Sequence, residues 1–139
     1  LDAEIMERFN IHLQNKYATI EANEARYETY KTEDAEYLIV AFGCMSRICE
    51  NVVELAREDG IKLGVLRPIT LYPYPEKALD ALVPQMKSIM SVELNSGQMV
   101  EDVRRIAAGR VPVHFYGRQG GAIPSPEEIY EAFVKTIKK

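Results

Sequence analysis

The 139-residue chain contains no tryptophan, and only two cysteines and two histidines. Cys44 and Cys49 are five positions apart, which is neither a redox Cys-x-x-Cys nor a metal-ligand spacing. They read as buried small apolar residues; a thiol switch would require both to be reachable in the native state. His12 and His114 stand alone, so no nucleophile–base pair or metal cluster can be built around them. No GxGxxG or phosphate-loop pattern occurs. No apolar run approaches the roughly 18 residues that would mark a membrane span. With 17 basic against 21 acidic residues, interspersed, there is no positive footprint for nucleic acid. Two cysteines without a disulfide framework fit a reducing, cytoplasmic setting. The acidic start, Leu1-Asp2-Ala3-Glu4, has no signal-type apolar segment behind it and no initiator Met, and reads as a processed chain or an excised piece.

What is present is proline at selected places. Arg67-Pro68-Ile69-Thr70-Leu71-Tyr72-Pro73-Tyr74-Pro75 carries three prolines directly after the apolar run Leu63-Gly64-Val65-Leu66. Each proline fixes its own φ, removes a backbone donor and biases its predecessor away from helix. The strand should stop there, and a stiff extended connection should hold Arg67, Thr70, Tyr72 and Tyr74 in fixed directions.

From residue 35 the pattern alternates. Glu36 to Phe42, Lys62 to Leu66, Ser88 to Leu94 and Val111 to Tyr116 are short, nearly continuous apolar runs that predict buried strands. Pro112 puts the last of these at an edge or near its own start. Between them, helices are expected after Gly43, from Pro75, over Gln98 to Ala108 and, last, from Ser125. Ser125, Pro126 and Glu128 form the signature of an N-cap, first helical residue and capping-box carboxylate. Strand–helix alternation with apolar strands predicts a three-layer, doubly wound α/β domain with a mainly parallel sheet of four or five strands. If those four strands lie in the order 2-1-3-4, a crevice opens between the first and third. Residues 1–34 precede the alternation. Ile5, Phe9, Leu13, Tyr17 and Ile20 recur at helical spacing, predicting an amphipathic helix, with room for an edge strand near Tyr27 to Lys31. This segment is either packed on its own domain or a connector from an upstream one, the domain proper being 35–139.

In open parallel sheets, function gathers at the carboxyl ends of the strands. Gly43 to Ser46 could hold an anion on free amides, although close helix–strand packing is the simpler reason for Gly43. Gly117 to Gly121 with Arg118 could cradle a phosphate. Glu93, Asn95 and Gln98 place a carboxylate and two amides at a strand end, either to cap the next helix or to meet a partner. No proton-transfer constellation appears, so the residues alone do not describe a complete enzyme.

Ala35 to Gly43, Arg67 to Pro75 and Val92 to Gln98 occur in an order and spacing that resemble the C-terminal part of the alpha subunit of 2-oxoacid:ferredoxin oxidoreductases, of the 2-ketoisovalerate or 2-oxoglutarate type. The resemblance runs from about Ala35 to the C terminus, and the proline-rich segment is its specific part. It implies a transketolase C-terminal-like fold within a multi-subunit enzyme. Such an enzyme decarboxylates a 2-oxoacid on thiamine diphosphate with Mg²⁺, passes electrons through iron-sulfur clusters to ferredoxin, and forms an acyl-CoA. The family's diphosphate motif and cluster cysteines are not found here. The chain is therefore expected to bind no cofactor itself and to carry no catalytic residue. Its expected partners are the other subunits and, through the complex, ferredoxin; a homodimer stays open. Arg67, Thr70, Tyr72, Tyr74, Glu93, Asn95 and Gln98 are the expected interface. The competing reading is a stand-alone flavodoxin-like module for a small anionic ligand such as CoA or a nucleotide.

Overall fold

The computed structural model describes residues 2–138. A helix, α1 (Ala3–Glu24), leads into an edge strand, β1 (Tyr27–Tyr30), and then β2 (Tyr37–Ala41) and α2 (Cys44–Glu58). There follow β3 (Leu63–Pro68), α3 (Glu76–Leu82) with a 3-10 turn (Val83–Gln85), β4 (Ser88–Glu93), α4 (Met99–Ala107), β5 (Val113–Gly117) and α5 (Pro126–Ile137). The strands form one five-stranded sheet in the order β1-β3-β2-β4-β5. β1 pairs antiparallel to β3, and the other four strands are parallel. The four predicted strands thus lie in the order 2-1-3-4, with the switch point between β2 and β4. Among the described residues no helix is long and apolar enough to cross a membrane.

Successive residues of a strand face opposite sides, so a strand covered twice must be apolar throughout. Ile39 and Ala41 face α2 and α5, packing with Val52, Val65, Met90 and Phe133. Leu38 and Val40 face α3 and α4, with Leu66, Leu79, Ile89 and Val103. Full burial of each such large side chain contributes roughly 1.5–3 kcal/mol. The capping box forms as expected: the Ser125 hydroxyl accepts the Glu128 N–H, and the Glu128 carboxylate accepts the Ser125 N–H.

Several local expectations are corrected. β3 does not stop at Leu66 but continues to Pro68, because antiparallel β1 supplies partners out to the Tyr27–Pro68 pair. Proline takes the last place, where the missing donor matters least. Pro75 is the N-cap of α3 and not its first residue. β5 begins after Pro112, whose carbonyl accepts the Ile89 N–H at 2.9 Å. Gly43 is not a close-packing glycine, since a Cβ there would meet nothing within 4 Å. It is required by its backbone, φ 61° and ψ −138° at the α2 N-cap, which other residues rarely adopt. α1 buries none of its side chains, so its apolar stripe is not a core face of this domain.

Two described glycines, Gly64 on β3 and Gly117 at the end of β5, leave no room for a Cβ against neighbouring backbone. At Gly64 a Cβ would lie 2.7 Å from the Lys31 carbonyl oxygen, with Ala35 and Thr32 at 3.1 Å. Gly64→Ala should destabilise the domain by about 1–3 kcal/mol, as overpacking against fixed backbone does. Chemical denaturation measures this, and an unchanged midpoint would refute the packing reason.

Candidate subunit interface

The parallel strands deliver their carboxyl ends to one edge. There the β3–α3 connection carries Arg67, Thr70, Tyr72 and Tyr74, and the β4–α4 connection carries Glu93, Asn95 and Gln98. These residues have separate roles.

Thr70 is a clamp. Its hydroxyl accepts the Arg26 N–H at 2.9 Å and donates to the Pro73 carbonyl at 2.7 Å. The amides of Ile69 and Thr70 donate to the Arg26 carbonyl at 2.9 and 3.3 Å. The proline-rich segment is thereby bound to the α1–β1 junction. Arg67 pairs with its cross-strand neighbour Glu28 at 2.8 Å, while its Nε is buried without a partner. Tyr72 is 62% exposed and stands edge-on to Tyr17 of α1, ring centroids 6.4 Å apart.

Tyr74 corrects the expectation of two exposed aromatics. It is only 9% exposed and belongs to the core under α3 and α4. Two positions apart on a regular strand would share a side, but the chain bends over Leu71–Pro73, which leaves Tyr72 outward and Tyr74 inward. Burial, followed by the nearby Asp102 and Glu93 charges, pushes the Tyr74 hydroxyl well above its ordinary value, and that hydroxyl has no hydrogen-bond partner.

Glu93 is likewise inside, 1% exposed at the end of β4. Its carboxylate accepts the N–H groups of Gln98 (3.1 Å), Met99 (2.9 Å) and Val100 (2.8 Å), and the Ser91 hydroxyl at 3.0 Å. A charge at a helix N-terminus satisfies amides that the helix cannot pair itself. Burial opposes its ionisation, but the Met99 and Gln98 amides, the Ser91 hydroxyl and the Val100 amide outweigh it and hold the carboxyl below its usual range. The switch point between β2 and β4 is therefore closed from within on its β4 side. Asn95 accepts the Gly97 N–H at 2.7 Å, a local turn, and Gln98 is exposed at the α4 N-cap without a side-chain capping bond.

The other candidates also resolve. Arg118 pairs with Glu128 at 3.1 Å, which ties it to α5. Cys44 is exposed, against expectation, because it opens α2 at the strand-end edge. Cys49 is buried, its thiol pushed up to about 12 by that burial and by Glu50, which rules out a two-thiol switch. Among the described residues no three His, Cys, Asp or Glu side chains are grouped to hold a metal ion.

What the residue-by-residue reading missed is an apolar rim. Ile69, Leu71 and Tyr72 after β3, Leu94 after β4 and Ile123 before α5 are all exposed on the same edge. The available signal was their position: large apolar side chains in strand-end connections, bracketed by proline or glycine. Beside the rim, a hollow of about 550 Å³ lies between the last turns of α1, the Leu71–Pro75 segment and the start of α3. Its rim carries Glu21, Lys77 and the Arg105–Glu76 ion pair.

The model of pyruvate:ferredoxin oxidoreductase core domain II matches residues 35–129. The chain belongs to that family. The ketoisovalerate oxidoreductase subunit VorB of Methanothermobacter marburgensis is 48% identical over 121 residues, which is 87% of this chain and 34% of the relative. The 2-oxoglutarate synthase subunit KorA of Methanothermobacter thermautotrophicus is 38% identical over 75% of this chain and 28% of its own length. The chain spans about a third of the curated relatives it matches. Its fold is that of the 2-oxoglutarate:ferredoxin oxidoreductase from Magnetococcus marinus, solved with 2-oxoglutarate, coenzyme A and succinyl-CoA. That match has a TM-score of 0.77 at 23% identity and covers 96% of this chain and 23% of the other. A split-gene transketolase shares the fold with a TM-score of 0.68 at 17% identity, over 81% of this chain and 41% of that one. These findings support core domain II of an oxidoreductase over a stand-alone flavodoxin-like module.

Glu93 generates a test. Its folded-state carboxyl is depressed, so its stabilisation is complete above the ordinary glutamate range and lost as pH falls through the lower folded value. Glu93→Gln should cost about 1.5–3 kcal/mol at neutral pH, the worth of hydrogen bonds to a charged group. The cost should shrink in acid. Urea melts at a series of pH values check this; a pH-independent difference would count against the carboxylate cap.

Proposed function

We propose that this chain is the assembly domain of a thiamine-diphosphate-dependent 2-oxoacid:ferredoxin oxidoreductase, the reaction being oxidative decarboxylation of 2-ketoisovalerate to an acyl-CoA. The 48% identity to a ketoisovalerate oxidoreductase subunit carries this reading, and the lower identity to the 2-oxoglutarate subunits favours the branched-chain substrate. Thiamine diphosphate, Mg²⁺, the clusters and CoA belong to the complex. In it, this domain supplies shape, with residues 1–34 as a connector to another part of the parent protein. Other subunits are its direct partners and ferredoxin an indirect one, in the cytoplasm.

The apolar rim supports the assembly role. Ile69, Leu71, Tyr72, Leu94 and Ile123 form an exposed apolar edge on a stiff, clamped scaffold. Ordering such side chains on binding costs little entropy, which suits an interface. Of the expected interface residues, Tyr72 and Gln98 remain direct contacts. Thr70, Tyr74, Glu93 and Asn95 hold the loops that present them, and Arg67 braces β1.

Replacing Leu71 and Tyr72 together by Ala should raise the Kd for the neighbouring subunit at least about tenfold, the equivalent of about 1.4 kcal/mol. Circular dichroism of the isolated domain should not change. Pull-down with the co-expressed subunits measures the first effect, and normal assembly of the double variant would remove the rim from the interface. The assembled complex should oxidise 2-ketoisovalerate in preference to 2-oxoglutarate, with CoA and a low-potential acceptor.

A further inference from the structure

The outermost strand of the sheet has an unused side. β1 pairs only with β3, so its other edge faces away from the domain. Which main-chain groups lie on that edge follows from the ladder. The Arg26 carbonyl accepts the Ile69 and Thr70 amides, and the Arg26 N–H donates to the Thr70 hydroxyl, so residue 26 points its backbone toward β3. Bonding direction alternates along an antiparallel strand. Glu28 and Tyr30 therefore also bond toward β3, while Tyr27 and Thr29 turn their N–H and C=O groups outward. Pro68, paired with Tyr27, has no N–H to offer and agrees with this register. Among the described residues nothing pairs with the four outward groups. Edge strands are usually blunted by proline, lysine, a bulge or a covering segment. Tyr27 to Tyr30 contains no proline or lysine; its protections are a length of four residues and Glu28, which Arg67 neutralises.

A groove runs beside the open edge. Thr29 lies opposite Leu66, which belongs to the core under α3 and α4, so Thr29 and Tyr27 are on the α3 side of the sheet. With Lys77, Ala78, Ala81 and Leu82 of α3 they line a hollow of about 340 Å³. An open strand edge with a side-chain groove between it and a helix suits the addition of an extended peptide to the sheet. In that mode main-chain bonds give affinity, and pockets for alternate side chains give specificity. Four main-chain groups are few, so the groove has to contribute. The α3 wall is small and apolar apart from one charge, Lys77. The acidic residues beside Lys77 on α3, Glu76 and Asp80, are held by Arg105 and Arg110, and among the described residues Lys77 has no ion-pair partner.

We propose that β1 and α3 receive an extended segment of a partner polypeptide, which adds a sixth strand along Tyr27 and Thr29. The segment is apolar at the alternate positions that enter the groove and carries a carboxylate that meets Lys77. The β1 strand of a second copy does not supply this chemistry, because its one carboxylate, Glu28, is already held by Arg67. The inference stands on the sheet edge and does not depend on the oxidoreductase reading.

The probe is a heptapeptide selected by phage display on the immobilised 139-residue chain. Enriched sequences should alternate apolar and polar residues and include Asp or Glu. In the free chain the amides of Tyr27 and Thr29 should exchange hydrogen fast and those of Glu28 and Tyr30 slowly; the synthetic peptide should slow the first two. Thr29→Pro removes one outward N–H and no bond to β3, so the thermal melt should hold while the Kd of the peptide rises at least about tenfold by fluorescence anisotropy. Lys77→Glu should weaken the acidic peptide similarly, and a peptide with Lys in place of its carboxylate should recover on that variant. If Thr29→Pro lowers the melt, this charge swap decides, and no recovery refutes the groove. Failure to enrich any sequence would overturn the proposal, as would a peptide that leaves Tyr27 and Thr29 exchange unchanged or binds a well-folded Thr29→Pro equally. A dimer in sedimentation that Thr29→Pro abolishes would make a second copy the occupant and refute it too. None of these outcomes bears on the Leu71 and Tyr72 subunit contact, since neither residue lines this groove.

Discussion

The hydrogen bonds between Thr70 and the Arg26 backbone are the constraint on which the outer architecture depends. Two amides from the proline-rich segment and one hydroxyl converge on the backbone of a single residue at the α1–β1 junction. That fixes where α1 leaves the domain, aligns β1 against β3 so that Glu28 reaches Arg67, and sets Tyr72 against Tyr17. Prolines on either side have few conformations to lose, so the clamp holds a segment that was already stiff. A flexible loop in the same place would present its apolar side chains in many arrangements and bind none of them well.

The interior of the strand-end edge is closed by similar means. In doubly wound sheets the switch point is where ligands enter. Here Glu93 turns back on α4 and consumes three of its free amides, while Arg118 is held by Glu128. Glu93 and Arg118 are thus engaged within the fold, and Ile69, Leu71, Tyr72, Leu94 and Ile123 face outward at the same edge beside the exposed Gln98 and Cys44.

Much of the fold was legible in the sequence because its signals were local and repeated. Four continuous apolar runs separated by amphipathic segments permit few architectures, and the capping box at Ser125 marked α5 by itself. The site was legible only by location. Tyr72 and Tyr74 are separated by one residue, equally aromatic and equally flanked by proline, yet one is a surface and the other is core. Glu93 and Gln98 are both polar at a strand end, yet one is sealed under a helix and the other is exposed.

The sequence by itself determined the class of fold and the stiffness of the Arg67–Pro75 segment, because both follow from residue type and near-neighbour spacing; the strand order was one common topology among several until the strand pairing decided it. Only the tertiary structure decided which side chains face out, why Gly43 and Gly64 are glycines, that β1 carries β3 on to Pro68, and that α1 buries nothing. Those facts depend on which distant backbone lies across from each residue. The Lys31 carbonyl beside Gly64 and the Arg26 peptide beside Thr70 are 33 and 44 positions away in the chain, beyond the reach of any local pattern.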